Sequence, residues 1–242
     1  NEAGFGSNFM EMKMAGKRLD LTRPFHYEGD KELKVSDVFS RMYASPEFVH
    51  QTGQNKDIKV TFWQNILNRL AQDNKQFKAN QYSGMPILYC EFAHAMENSL
   101  GNFKEHIDAW YDYERWCGGF IWDYVDQSIH TQVNGQDRWL YGGDFGEEIS
   151  HTYFNANGIV AGDRTLHPSA YEVKKVYQYI KIEDSDLENG LINITNRHAF
   201  TKLDEYMWAF ELLEDGAIIQ NGIIDMPAIE PGQSKDVQVS FE

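Results

Sequence analysis

The sequence predicts an α/β chain that ends in a β-sandwich segment. Over the first roughly 180 residues, short apolar strand-like runs alternate with amphipathic helical patterns, the grammar of a parallel α/β architecture. From about Ile180 the pattern changes to strand-type runs with partial alternation (LINIT, EYMWAFEL, AIIQNGII, VQVSFE). Turn dipeptides, Asp215-Gly216 and Asn221-Gly222, punctuate those runs. The second segment spans about 60 residues, against roughly 100 for a complete immunoglobulin-like sandwich, so it reads as part of one.

Phe9, Met10 and Met14 mark a short helix after Ser7. Pro24 to Glu28 (PFHYE) and Val38 to Tyr43 (VFSRMY) read as strands. A helix over 61–78 places Phe62, Ile66, Leu67 and Leu70 on one face. The apolar run Ile87 to Cys90 reads as a buried strand. A helix from about Asn102 to Trp116 aligns Phe103, Ile107, Trp110 and Tyr111, and Gly119 to Tyr124 (GFIWDY) gives the next strand. Gln132 to about Thr165 is rich in Gly, Asp, Asn and aromatics and reads as long functional loops. Helical spacing returns over His167 to Tyr179, with Tyr171, Val173, Val176 and Tyr177 apolar.

The formal net charge is -15 over 242 residues. That balance argues against nucleic acid or an anionic membrane as partner, because both attract basic surfaces. No apolar run approaches the roughly 18 residues that a membrane span needs. Two cysteines, Cys90 and Cys117, make no disulfide framework and read as buried free thiols. The chain starts Asn1-Glu2-Ala3-Gly4-Phe5-Gly6, without an initiator Met or a signal-peptide pattern. It reads as the interior of a longer protein, and the compartment stays open between cytoplasm and periplasm.

The stretch PILYCEFAHAMENSLGN poses the functional question, because Glu91 follows at once on a core strand. Three readings compete. Glu91-Phe92-Ala93-His94 has the Glu-x-x-His spacing of di-metal helical bundles, yet a second copy of that motif and four long helices are missing. A carboxylate at a strand end is often simply solvated or caps a turn. The third reading is catalytic. Side chains at the C-terminal ends of barrel strands carry chemistry, and retaining glycosidases pair two carboxyl groups about 5–5.5 Å apart. Glu2, before a Gly-containing turn, is the obvious partner acid.

Eight stretches resolve the choice: NEAGFGSN, RPFHYEG, RMYA, ILYCEFAHAMENSLGN, GGFIWDYVDQS, YGGDFG, NANGIVAGDRTLHP and the start of the β-sandwich. Together, and in this order, they resemble the large lactose-cleaving β-galactosidases of glycoside hydrolase family 2. The resemblance implies a (β/α)8 barrel of which this chain holds strands five to eight, Pro24–Glu28, Val38–Tyr43, Ile87–Cys90 and Gly119–Tyr124. It implies residues 1–180 as the C-terminal half of the barrel and residues 181–242 as a truncated immunoglobulin-like β-sandwich.

Residue by residue, the resemblance makes Glu2 the acid/base and Glu91 the nucleophile. Tyr43 would donate a hydrogen bond to Glu91. Asn1 would bond the sugar 2-hydroxyl, His94 would bond galactose hydroxyls, and Trp122 would pack against the apolar face of the sugar. Phe154, through its backbone carbonyl, and Asn157, through its amide oxygen, would hold sodium or potassium near the 6-hydroxyl, which makes Asn157 a substrate-binding residue as well, and Glu2 would touch magnesium. The other ligands of both ions would lie upstream, leaving both sites incomplete here. The dull reading stands beside each: a satisfied core Tyr, a structural His, a core Trp such as Trp110 or Trp116. His167-Pro168 reads as structural, and the remaining histidines as ordinary surface or loop residues. The pattern usually has Tyr where Phe92 stands and Gly where Glu97 stands.

The expected function is a retaining exo-β-D-galactosidase working through a covalent galactosyl-enzyme intermediate, with β-galactosides as substrates and the whole protein a homo-oligomer. These 242 residues alone are expected to be inactive and prone to self-association through open sheet edges. The alternatives are a non-catalytic carbohydrate-binding fragment, or the same family acting on another sugar as a glucuronidase or mannosidase.

Overall fold

The computed structural model describes residues 4–59, 66 and 76–241. Asn1, Glu2 and most of the helix expected over 61–78 lie outside them. The chain divides into two compact units, Asn1–Val176 and Tyr177–Glu242.

The first unit is built on a parallel sheet of β1 (Phe39–Met42), β2 (Ile87–Phe92) and β3 (Trp116–Ile121), in that spatial order. Parallel neighbours require crossovers. The first includes α2 (Pro46–Gly53) and α3 (Ala79–Tyr82), and the second is α4 (Phe103–Tyr111); α1 (Ser7–Leu19) precedes the sheet. One face of the sheet meets the helices in an apolar core. Phe39, Ile87, Tyr89, Phe92 and Trp116 from the strands pack with Phe48, Phe103 and Ile107. Phe92 stacks on Phe103 at 5.6 Å between ring centroids and tilts against Trp110 at 4.9 Å.

β2 runs two residues beyond the expected end, through Glu91 to Phe92. Its pairing slips there. Tyr89 lies opposite Gly119 and Phe92 opposite Ile121, while on the other side Arg41 pairs with Tyr89 and Met42 with Glu91. β2 thus carries one extra residue against both neighbours, a bulge that re-aims side chains. Tyr89 and Phe92 are both buried, and the two residues between them, Cys90 and Glu91, are only half-buried.

Pro24–Glu28 is not a strand. Pro24 has no N–H to give a ladder, and the neighbouring backbone is claimed by side chains. Asp37 Oδ2 accepts from the Phe25 N–H at 2.9 Å, and Ser36 Oγ accepts from the Tyr27 N–H at 3.1 Å and donates to the Tyr27 carbonyl at 2.9 Å. The same loop is tied to α1 through Lys13, whose Nζ meets Asp37 Oδ1 at 2.5 Å and the Val35 carbonyl at 2.6 Å.

The stretch expected to be all loop contains a hairpin, β4 (Ile129–Val133) and β5 (Gln136–Leu140). Its turn is Asn134-Gly135 with φ of 52° and 74°, the two positive values that a type I′ turn requires. A 3-10 turn at Thr152–Asn155 and α5 (Pro168–Val176) follow, with proline at the first helical position. Two readings of side chains are corrected. Cys117 is exposed, because it points away from the helix-facing core. His106 is buried in that core, edge-on to Tyr89 and Phe92.

The second unit has β6 (Ile180–Asp186), β7 (Leu191–Asn196), β8 (Trp208–Glu214), β9 (Ala217–Ile224) and β10 (Ser234–Gln238). One antiparallel sheet has the order β10-β7-β6, and β8 and β9 form a hairpin. Ile194, Leu203, Ile229 and Val237 form its core, with Ile180, Trp208 and Ile224 against them. Asp215-Gly216 is the hairpin turn, with φ of 49° and 83°. Asn221-Gly222 is no turn. It lies inside β9, where Gly222 pairs with Phe210 and leaves room for that ring.

In β3, a Cβ on Gly119 would stand 2.9 Å from both the Tyr89 Cβ and the Trp110 ring. Gly119→Ala is therefore expected to cost about 1–3 kcal/mol in urea unfolding. Gly84→Ala, which meets nothing within 4 Å, should change stability by less than about 1 kcal/mol; equal effects would contradict this packing.

Candidate active site

On the sheet's other side, a cavity of about 600 Å³ opens beyond the ends of the strands. β1 brings Met42 and, one residue past its end, Tyr43; β2 brings Cys90 and Glu91. His94 follows β2, Trp122 follows β3, and Phe154 comes from the 3-10 turn. The 24–29 loop supplies His26, Tyr27, Glu28 and Gly29.

Tyr43 and Glu91 are joined directly. The Tyr43 hydroxyl donates to Glu91 Oε2 at 2.8 Å, and the Tyr43 N–H donates to the Glu91 carbonyl at 3.0 Å. The backbone bond continues the β1–β2 pairing past Met42, so the tyrosine ring is delivered beside the carboxylate. Tyr43 adopts φ of 49° to do this, a region that a non-glycine residue rarely enters. Its ring lies 5.7 Å from the His94 ring, which in turn lies 5.6 Å from Phe154.

Trp122 is held at both ends. Its N–H donates to the Phe92 carbonyl at 3.1 Å and its carbonyl accepts from the Ala95 N–H at 2.8 Å. With the Asn157 amide turned so that oxygen faces the indole, that oxygen accepts from Trp122 Nε1 at 3.0 Å and the amide nitrogen donates to the Asn155 carbonyl at 3.0 Å. Asn157 is buried and its own carbonyl accepts from the Asp123 N–H at 2.8 Å. Phe154 lies in the 3-10 turn Thr152–Asn155, and Asn157, two residues beyond that turn, is bonded to the exit of β3. A backbone carbonyl and an amide oxygen are the oxygen donor types that hard cations take. The amide oxygen keeps a second lone pair beyond the indole bond. Among the described residues, no three His, Cys, Asp or Glu side chains gather to hold a metal ion. None of their helices is long and apolar enough to cross a membrane.

The structure therefore assembles Tyr43, Glu91, His94, Trp122 and Phe154 around one cavity, with Asn157 behind Trp122. Asn1 and Glu2 lie outside the described residues. The cavity also contains groups that the sequence reading passed over. Glu28 is a second carboxylate in the wall, bonded to Lys31 Nζ at 2.7 Å. His26, whose Nε2 lies 2.6 Å from Ser40 Oγ, is pushed below the usual histidine range by burial, against the raising effect of Glu28. The RPFHYEG stretch could have flagged Glu28; Cys90 had no such signal, since strict alternation puts it opposite Glu91.

Burial and, after it, the Glu28 charge push the Cys90 thiol up to about 11. Cys90 should thus react far more slowly with iodoacetamide near pH 8 than exposed Cys117. Its rate should climb about tenfold per pH unit up to about pH 10, as the thiolate fraction grows. Differential alkylation read by mass spectrometry checks this, and a Cys90 rate equal to that of Cys117 would contradict the burial.

Comparison with known proteins gives two family matches. Residues 1–182 match the model for the TIM barrel domain of glycosyl hydrolases family 2, and residues 192–242 match that for β-galactosidase domain 4. The chain is 35% identical to a β-galactosidase of Psychromonas ingrahamii, over 93% of this chain and 21% of that protein. It is also 35% identical to one of Photobacterium profundum, over 100% of this chain and 22% of that protein. The chain spans about a fifth of the length of these curated relatives. A solved family 2 β-galacturonidase from Eisenbergiella tayi overlaps 70% of this chain and 29% of its own, at 17% identity and a TM-score of 0.38.

Proposed function

The chain belongs to glycosyl hydrolase family 2, and from that membership we propose that the protein bearing these residues is a retaining exo-β-D-galactosidase. The observation that carries this reading is the 2.8 Å bond from Tyr43 to Glu91 at the edge of a cavity walled by His94 and Trp122. A carboxylate near the C-terminal end of a strand in a parallel sheet, oriented by a hydroxyl and beside an aromatic wall, suits attack on a sugar ring.

In this reading Glu91 attacks the anomeric carbon. With Oε2 held by Tyr43, Oε1 is the attacking oxygen. The C1–O bond to the leaving group breaks as Glu2 donates its proton to the departing oxygen, leaving a galactosyl ester on Glu91. Glu2, now the base, takes a proton from water, and that water releases galactose from the ester. Trp122 offers π density to the apolar sugar face. His94 bonds ring hydroxyls, and Asn1 bonds the 2-hydroxyl, where hydrogen bonds strengthen in the transition state.

The ions belong to the same proposal. Phe154 and Asn157 would hold sodium or potassium, and Glu2 magnesium. Such ions would supply fixed positive charge beside the sugar hydroxyls and the acid. We assign residues 1–180 to the second half of a (β/α)8 barrel and 181–242 to part of an immunoglobulin-like sandwich. The whole protein is assigned as a homo-oligomer.

A 2-deoxy-2-fluoro-β-galactoside with a good leaving group, given to the protein expressed from its full reading frame, should trap the intermediate. Mass spectrometry should then find the sugar on the peptide holding Glu91. Labelling of another residue, or faster hydrolysis of nitrophenyl glucuronide or mannoside than of galactoside, would overturn the assignment.

Tyr43→Phe should lower kcat by about 10- to 100-fold, the worth of a hydrogen bond to a charged group. In the described residues the first unit holds three parallel strands where a closed barrel needs eight. Residues 1–242 alone should accordingly show no turnover of a chromogenic galactoside, and β1 and β3, the outer strands, should favour self-association.

A further inference from the structure

We propose that Glu97 and Tyr153 form a clasp that sets the position of the Phe154 wall of the cavity, making Glu97 a positioning residue for substrate binding. The inference rests on the galactosidase reading of that cavity. Glu97 lies in the segment leaving β2, six residues after Glu91. Tyr153 lies in the 3-10 turn Thr152–Asn155. The Tyr153 hydroxyl donates to Glu97 Oε1 at 2.9 Å, across 56 residues of chain. The next residue, Phe154, lines the cavity and faces His94, and His94 faces Tyr43. A continuous set of contacts thus runs from Glu97 to the Tyr43–Glu91 pair.

The turn is held at two ends. Its C-terminal end is fixed to the exit of β3. Gln127 N–H donates to the Asn155 carbonyl at 2.8 Å, Asp123 N–H donates to the Asn157 carbonyl at 2.8 Å, and Asn157 meets Trp122. The Glu97 bond holds the other end to the exit of β2. Phe154 sits between these two anchors.

The backbone at Glu97 supports a role for its side chain. Its φ of 57° is left-handed, where glycine would sit without penalty and a glutamate does not. Both partners are exposed, so the bond adds little to global stability. Positioning is what remains for it to do.

The test uses Glu97→Gly, Tyr153→Phe, their double variant and Glu97→Gln, all in the full reading frame. Each of the first two should raise KM for a nitrophenyl β-galactoside about three- to tenfold, the effect of one hydrogen bond. kcat should stay within about twofold, and the double variant should be no worse than either single one. Glu97→Gln should restore KM, since its amide oxygen still accepts. Glu97→Gly should melt no lower than the parent. Amide hydrogen exchange over residues 151–156 should quicken in Glu97→Gly and Tyr153→Phe. Unchanged KM, additive effects, no rescue by glutamine or unchanged exchange would overturn the clasp. If the parent turns over no β-galactoside, the catalytic reading fails, and the exchange measurement still decides the clasp.

Discussion

Between Tyr89 and Phe92, β2 carries one residue more than either neighbouring strand. Most of the unit follows from that slip. Tyr89 and Phe92 both stay on the helix side, stacked with each other at 5.8 Å and packed against Trp110. Cys90 and Glu91 are left on the cavity side. A regular strand alternates faces at every residue, so two consecutive residues on one face need a bulge. The apolar face supplies the burial that stabilises the sheet, and the bulge lets a carboxylate stand beside it without entering it.

The contacts around Glu91 are borrowed from ordinary strand geometry. The β1–β2 pairing continues one step past Met42, which brings Tyr43 alongside. The β2–β3 pairing continues one step past Ile121, which brings Trp122 alongside. Asn157 then fixes the indole from behind. Tyr43 and Trp122 are thus each placed by a backbone bond at the exit of a strand. That rigidity is what a site must have if reacting atoms are to be held near their productive geometry.

The sequence made some of this legible. Apolar runs around Phe39, Ile87 and Phe120 located the three strands, because β-branched and aromatic clusters bounded by polar turns have few other readings. Phe103, Ile107 and Trp110 located the following helix by their spacing. Pro24–Glu28 misled, because strand-like composition cannot report that Ser36 and Asp37 side chains claim the backbone there. The β4–β5 hairpin was missed although Asn134-Gly135 signals it, since few of its residues are buried and its apolar pattern is weak. Asn221-Gly222 carried the same signal falsely, because Gly222 serves Phe210 across the pair.

By itself the sequence determined the alternation of elements, the change of style near Ile180, and Glu91, Tyr43, His94 and Trp122 as the residues to watch. The elements follow from local periodicity, which is written along the chain; Tyr43, His94 and Trp122 came through the resemblance to the family's ordered motifs. Only the tertiary structure decided that Tyr43 bonds Glu91, that Cys90 and Glu28 share the cavity, and that Glu97 meets Tyr153. These depend on a one-residue register shift and on contacts between residues 48 and 56 positions apart. Pairings of that kind are set by packing across strands and loops, and local sequence does not encode them.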